Sequence, residues 1–182
     1  MAILIRYLLA ILAIACSSLA INLEFDRTQS IIDAASIAAN GLQALYNGNQ
    51  PGGVVGKFPY PPYYWWESGA AWGGMINYWH YTGDDTFNNI TWEALSSQIG
   101  PQADWVVPVE AFNEGNDDQA FWVFAALSAA EHGFPDPPPP YPSWIVTAQN
   151  AWELYVQRWN TTNCNGGLKW QFHPENKGFY YK

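Results

Sequence analysis

YWWESGAAWGGMINYWHYTG, residues Tyr64–Gly83, is the stretch on which the fold turns. It contains no Pro and closes on Gly83, a residue suited to the left-handed conformation that ends a helix. The pattern predicts a helix over Glu67–Thr82. Ala70, Ala71, Gly73 and Gly74 make one part of it very small, so neighbouring helices can approach closely there. The rest is apolar nearly all round, and a helix without a polar face is buried on two sides.

Working outward, a similar helix follows Gly115-Asn116, runs to about His132 and stops at Gly133. Nearer the N-terminus, Asp26 with Gln29 resembles a capping box. Ile31, Ala35, Ala38, Leu42 and Leu45 then fall at helical spacing, and Gly48 is a stop signal. A loop rich in Gly, Pro and Tyr covers Asn49 to Tyr64. Another helix starts after Asp84 or Asp85 and carries Phe87, Ile90, Trp92 and Leu95 toward Gly100. Pro135 to Pro142 holds six prolines and is not helical. A last helix spans about Ser143 to Asn160. The tail from Gly166, with Trp170, Phe172 and Phe179-Tyr180-Tyr181, reads as a loop or a short hairpin. The class is all-α with about five helices. Five helices cannot easily bury two elements that are apolar all round, so the chain is expected to be part of a larger assembly of helices.

Composition narrows the function. The chain has 182 residues, 7 Lys+Arg against 16 Asp+Glu, and 49% hydrophobic content. That supports a real core and argues against global disorder. A formal charge of −9 argues against nucleic acid and against docking on anionic lipid. The 11 Trp, 11 Tyr and 9 Phe suggest a wide buried interior or surfaces that stack on flat ligands, of which sugars are the obvious class.

The first twenty residues read as a secretory signal. Arg6 precedes the apolar run Tyr7–Cys16, which is too short for a membrane span of ~20 residues. Ser18-Leu19-Ala20 fits a small-x-small cleavage pattern, so the mature domain is expected to cover residues 21–182. Its balance is then 6 basic against 16 acidic residues, with one cysteine, Cys164. A lone cysteine in a secreted chain implies a free thiol or a partner elsewhere. Two glycosylation sequons, at Asn89 and Asn160, agree with secretion.

The chemistry gathers in one interval. Between Lys57 and Arg158 there is neither Lys nor Arg, but twelve acids: Glu67, Asp84, Asp85, Glu93, Asp104, Glu110, Glu114, Asp117, Asp118, Glu131, Asp136 and Glu153. Carboxylates crowded without cations raise one another's pKa, as a general acid requires. The densest group runs from Glu110 to Gln119 and opens a helix. In one reading, Asn116 or Asp117 caps that helix and the acids of its first turn favour the macrodipole. In the other, Asp117 and Asp118 are a glycosidase pair. At a helix start both carboxyls can line one cleft, and the ~5–5.5 Å separation of retaining enzymes is within reach of neighbours. Asp84-Asp85 reads as a turn and N-cap. His80, His132 and His173 lack metal-ligand spacing, so no metal and no cofactor are expected. Trp92, Trp144, Trp152 and Trp159 sit at helical spacing and read as core. Trp65, Trp66 and Trp170 lie at helix junctions or in loops, where loop packing and stacking on a sugar are both open.

Four motifs occur in order: Tyr64–Gly73, Tyr78-Trp79-His80-Tyr81-Thr82-Gly83-Asp84, Gly115-Asn116-Asp117-Asp118-Gln119, and Cys164-Asn-Gly-Gly167-Leu-Lys-Trp170-Gln171. Together they resemble the fungal members of glycoside hydrolase family 76, which are mannan endo-1,6-alpha-mannosidase-like cell-wall proteins. The resemblance spans about Leu23 to Lys182. It implies an (α/α)6 barrel, a monomer, and retaining action on alpha-1,6-linked mannan, by hydrolysis or by transfer to a second sugar. Carried over, Asp117 is the nucleophile and Asp118 the acid/base. Asn116 and Gln119 flank them and hold the carboxylates or the sugar, with Trp65, Trp66 and Trp170 as further substrate-binding candidates. The barrel needs twelve helices, so an N-terminal, incomplete part of one is expected here. Family members continue with a further cysteine, the expected partner of Cys164, and many with a C-terminal lipid anchor that would tie them to a membrane. The expected location is secreted or at the cell wall. A non-catalytic mannan-binding or wall-interaction protein is the alternative.

Overall fold

The computed structural model describes residues 21, 23–162, 165–171, 173 and 180–181. The expected signal segment 1–20, Cys164, Phe172 and Phe179 lie outside the described residues. Among those described, the helices are α1 Thr28–Leu45, α2 Trp65–Thr82, α3 Asn88–Ser97, α4 Asn116–His132 and α5 Trp144–Arg158. Two short strands, β1 Leu168–Lys169 and β2 Tyr180–Tyr181, pair antiparallel with Leu168 opposite Tyr181. The all-α class holds, and the tail takes the hairpin form. No helix among the described residues is long and apolar enough to cross a membrane.

The chain divides into two units after Ala38, within α1. In the first unit, the Glu24 N–H donates to Ser30 Oγ at 2.9 Å, and Arg27 N–H donates to Glu24 O at 3.1 Å. The expected Asp26–Gln29 capping box is replaced by this turn. Gln29 donates forward to Asp33 at 2.8 Å, and the helix starts at Thr28.

In the second unit α2 and α4 form the core pair. Both end on left-handed glycines, Gly83 at φ 75° and Gly133 at φ 69°, as their sequences predict. A Cβ on Gly69 would stand 2.9 Å from the Trp122 ring, and one on Gly73 would stand 3.4 Å from Ala125 Cβ. The close approach therefore runs through Gly69 and Gly73, one turn apart, while Ala70 and Gly74 face outward.

Four tryptophans stack in a column between these helices and their neighbours. Trp65 lies 5.3 Å from Trp122, Trp122 lies 6.0 Å from Trp105, and Trp105 lies 6.5 Å from Trp144, all near parallel. Trp105, Trp122 and Trp144 are completely buried. Trp105 is held at φ 64°, a costly conformation for a bulky residue, which its burial in the column offsets. Trp65 is 4% exposed and its indole N–H donates to Gln98 Oε1 at 2.9 Å. The substrate-binding expectation for Trp65 is thereby corrected: it is part of the core.

The helix α5 corrects two other assignments. It buries Trp144, Thr147, Ala148 and Ala151, a stripe at helical spacing. Trp152 follows Ala151 and is rotated by ~100° off that stripe, so it is 64% exposed and not core. Trp159 stands past the helix end, 54% exposed, against Gly166. The Asp84 turn forms, with Asp84 Oδ1 accepting from Thr86 N–H at 3.0 Å and Oδ2 from Tyr78 Oη at 2.5 Å, but the expected N-cap does not, because α3 starts at Asn88 with Phe87 as its cap.

Candidate active site

The acidic run lands at the start of α4. Gly115 is the N-cap in extended conformation, and Asn116, Asp117 and Asp118 make the first turn. The Gly115 N–H donates to Asp118 Oδ2 at 2.7 Å. Asp118 thus serves the helix start, and the cap is Gly115 in place of the expected Asn116 or Asp117. Asp117 is not consumed by it. Asp117 is exposed and lines a cavity of about 280 Å3 with Asn116, Ala120, Tyr155 and Leu168.

The neighbours that fix this turn come from α5 and the tail. Tyr155 Oη donates to Asn116 O at 3.0 Å. Arg158 Nη1 donates to Asn116 Oδ1 at 2.8 Å and to Gln119 Oε1 at 2.7 Å. Gln119 Nε2 donates to Asp104 O at 2.5 Å. From the tail, Lys169 O accepts from Asn116 Nδ2 at 2.6 Å, and Trp170 O accepts from Asn116 N–H at 2.7 Å. Arg158 sits in the last turn of α5, where a cation suits the helix dipole, and its fork reaches the first turn of α4.

These bonds define what the two flanking amides do. Gln119 is completely buried with both amide ends engaged, so it holds the helix start against Arg158 and the Asp104 backbone. A direct sugar contact by Gln119 is incompatible with that burial. Asn116 is 4% exposed and ties α4 to α5 and to the tail, while its edge contributes to the cavity wall.

Of the remaining aromatic candidates, Trp66 is half-buried against Phe121, with ring centroids 4.6 Å apart, and does not line the cavity. Trp170 is half-buried and adjoins the acids. A Cβ on Gly115 would fall 2.5 Å from Trp170 Nε1 and would also strike Asp117 Oδ1. Gly115 is thus required by a close approach and not by its φ of −104°. Gly115→Ala is expected to displace the indole or the carboxylate and to cut turnover about 10²-fold, the cost of a misplacement near 1 Å. The far-UV circular dichroism should be unchanged. Undiminished turnover would show that this contact does not order the site.

Electrostatics separate the carboxyls. Burial pushes Asp118 above its ordinary value, the Asp117 charge adds to that, and the Gly115 N–H opposes it. Glu114 is pushed up to about 8 by burial, by the Asp118 charge and hydrogen bond, and by Glu110, against Lys57. Burial also raises the Tyr155 phenol, which stays a neutral hydroxyl beside Asp117, and lowers Arg158. Lys57 forms an ion pair with Glu110. Of the two cations that bound the cation-free interval, Lys57 therefore folds back onto an acid and Arg158 onto the amides that flank the acid pair.

Tyr155 carries no distinctive mark in the sequence, and Lys57, Glu114 and Arg158 are visible there only as the bounds and a member of the acidic interval. Tyr155 and Arg158 are three apart on one helix face, and Glu110, Glu114 and Asp118 recur at steps of four. Those spacings hint at shared faces but do not say which faces meet. The sequon Asn89 is exposed in the first turn of α3, while Asn160 is half-buried and its Oδ1 accepts from Thr162 N–H at 2.7 Å.

Residues 30–182 match the model of glycosyl hydrolase family 76. The mannan endo-1,6-alpha-mannosidase DCW1 of Eremothecium gossypii is 43% identical over 93% of this chain and 37% of its own length. The Saccharomyces cerevisiae protein of the same name is 43% identical over 90% of this chain and 36% of its own. A crystal structure of Dfg5 from Chaetomium thermophilum in complex with glucosamine superposes with a TM-score of 0.80 at 41% identity, covering 86% of this chain and 40% of that one. The chain thus spans little more than a third of the length of the curated relatives it matches.

Proposed function

The chain belongs to glycosyl hydrolase family 76, and from that premise we propose that it carries the catalytic carboxylates of a retaining enzyme acting on alpha-1,6-linked mannan. The linkage and sugar come from the names of its relatives, mannan endo-1,6-alpha-mannosidases. The observation that carries the reading is the first turn of α4, where two adjacent carboxyls meet different surroundings. Asp117 is open to the cavity, and Asp118 is half-buried with a raised pKa.

Environments that push two acids apart are how one site holds a nucleophile and an acid together. Asp117 attacks the anomeric carbon of the bound mannose. Its carboxylate sits at the positive end of the α4 dipole, which favours the anion. Asp118 gives its proton to the departing glycosidic oxygen, and a covalent mannosyl-Asp117 ester remains. Asp118 then takes the proton from an incoming hydroxyl, which attacks the same carbon and releases Asp117. A water hydroxyl gives hydrolysis, and a sugar hydroxyl gives transfer. Tyr155, neutral and fixed on the Asn116 carbonyl, lines the cavity beside Asp117. Asn116, Gln119 and Arg158 act behind the carboxylates, and Trp170 is the aromatic candidate for contact with the sugar. The cell wall or cell surface fits that substrate, reached through the secretory route suggested by residues 1–20 and by the Asn89 and Asn160 sequons.

The test is the anomeric configuration of the first product. The whole protein, supplied with alpha-1,6-mannose oligomers, is expected to release alpha products when followed by proton NMR in real time. Beta products would overturn the retaining assignment. Adding an oligosaccharide acceptor separates the fates: longer chains mean transfer, and unchanged product lengths mean hydrolysis.

A further inference from the structure

We propose that Arg158 is a positioning residue that sets which way the Asn116 amide faces and, through that amide, holds the tail against Asp117. The inference rests on the reading of Asp117 as the nucleophile. A guanidinium carries only donors, so an amide that meets it must turn its oxygen toward it. Arg158 Nη1 donates to Asn116 Oδ1 at 2.8 Å and to Gln119 Oε1 at 2.7 Å, one nitrogen serving both. Both amide nitrogens are thereby turned away from Arg158. Gln119 Nε2 donates to Asp104 O at 2.5 Å, and Asn116 Nδ2 donates to Lys169 O at 2.6 Å. Asn116 is 4% exposed and Gln119 is completely buried, so bulk water does not stand in for these partners.

The Asn116 arm leads to the reacting carboxylate. Lys169 stands between the two tail residues that border Asp117. Leu168 lines the cavity together with Asp117. The Trp170 indole nitrogen and Asp117 Oδ1 both stand within 2.5 Å of the place a Cβ on Gly115 would take, so the ring and the carboxylate are neighbours. The backbone brings the tail to this turn. Asn116 N–H donates to Trp170 O at 2.7 Å, and Gly115 pairs with Gln171 in an antiparallel bridge. The side chain of Asn116 then adds a second bond, to the carbonyl one residue earlier, and two bonds to successive carbonyls fix the tail where one would let it pivot.

The polarity of that amide is what Arg158 supplies. Turned over, Asn116 would set its oxygen against the Lys169 carbonyl. Two acceptors would then face each other in a buried place, and the tail would be pushed from α4, taking Leu168 and Trp170 away from Asp117. Arg158 forbids this arrangement because the turned amide would also present its NH2 group to a group with nothing but donors. The cation thus acts on the carboxylate from a distance, through one amide and one stretch of backbone.

Two measurements on the whole protein test this. Arg158→Met keeps the stem and removes the donors, and kcat/KM on alpha-1,6-mannose oligomers should fall about 10²-fold, the cost of a misplacement near 1 Å. Arg158→Lys keeps a nitrogen with nothing but donors and should recover most of that loss. Asn116→Leu leaves Arg158 in place, cuts the same link and should lose as much by itself, so it carries the test even where the Met variant does not fold. The double variant should cost no more than either single one, because both break one chain of contacts. Independently of activity, hydrogen exchange at the Asn116 N–H should quicken about tenfold or more in Arg158→Met, with exchange in the middle of α2 unchanged. Unmoved exchange at Asn116, additive losses in the double variant, or no recovery with Lys would each overturn the proposal. Faster exchange in a protein that is inactive on mannan before any substitution would sink the mannosidase reading while the tether stood.

Discussion

Asp117→Asn is expected to abolish turnover of alpha-1,6-mannan while leaving the fold intact. The side chain is exposed at the cavity and makes no contribution to the tryptophan column, so its amide should be accommodated without loss of stability. Asp118→Asn should cost about 10²–10⁴-fold, the usual worth of a positioned general acid–base. An activated aryl mannoside distinguishes the two roles. Its leaving group needs no proton, so Asp118→Ala should still form the mannosyl-enzyme rapidly, and added azide should accelerate release as mannosyl azide. Asp117→Ala should do neither. The reverse pattern would exchange the two roles, and full activity of both Asn variants on mannan would sink the site altogether.

Trp122→Ala should be the most destabilising single change in the core. Trp122 is completely buried, stacked on Trp65 and Trp105, and backed by Gly69. Removing so large a side chain typically costs about 3–5 kcal/mol. Here it also deprives two further rings of a face, and it removes the support for Trp105 at its left-handed φ of 64°. Urea unfolding followed by fluorescence should show the fall in midpoint, and near-UV circular dichroism should show loss of the stacked-indole signal. A loss below about 1 kcal/mol would mean that the column is not what holds α2 to α4. Trp122→Phe, which keeps an aromatic face, is expected to fall between.

The helices were readable because their signals are local. The Tyr64–Gly83 stretch predicts both its helix and its stop, and Gly83 and Gly133 take the left-handed conformation their positions demand. The helix opening at Gly115-Asn116 starts there. The misassigned helical tryptophans share one cause. Trp65 and Trp152 both stand on helices, but which side of a helix is inside depends on the partner laid against it. Trp65 falls on the face that meets α4, and Trp152 falls one residue off the buried stripe of α5. The Asp26–Gln29 pair matched a capping pattern that the Glu24–Ser30 turn displaced.

The same division runs through the site. Sequence alone determined the all-α class, the position of the acid pair at a helix start, and a hundred residues without a cation. Each of these is a matter of periodicity, capping chemistry or composition, and none needs contacts distant along the chain. Tertiary structure decided which acids differ from one another. Lys57 reaches Glu110 across 53 residues, Arg158 reaches Gln119 across 39, and the tail closes on Asn116. Burial and neighbouring charge set a carboxyl's proton affinity, and both come from groups that only the folded chain brings together. That is why Glu114, one acid among the twelve between Lys57 and Arg158, stands apart in the fold.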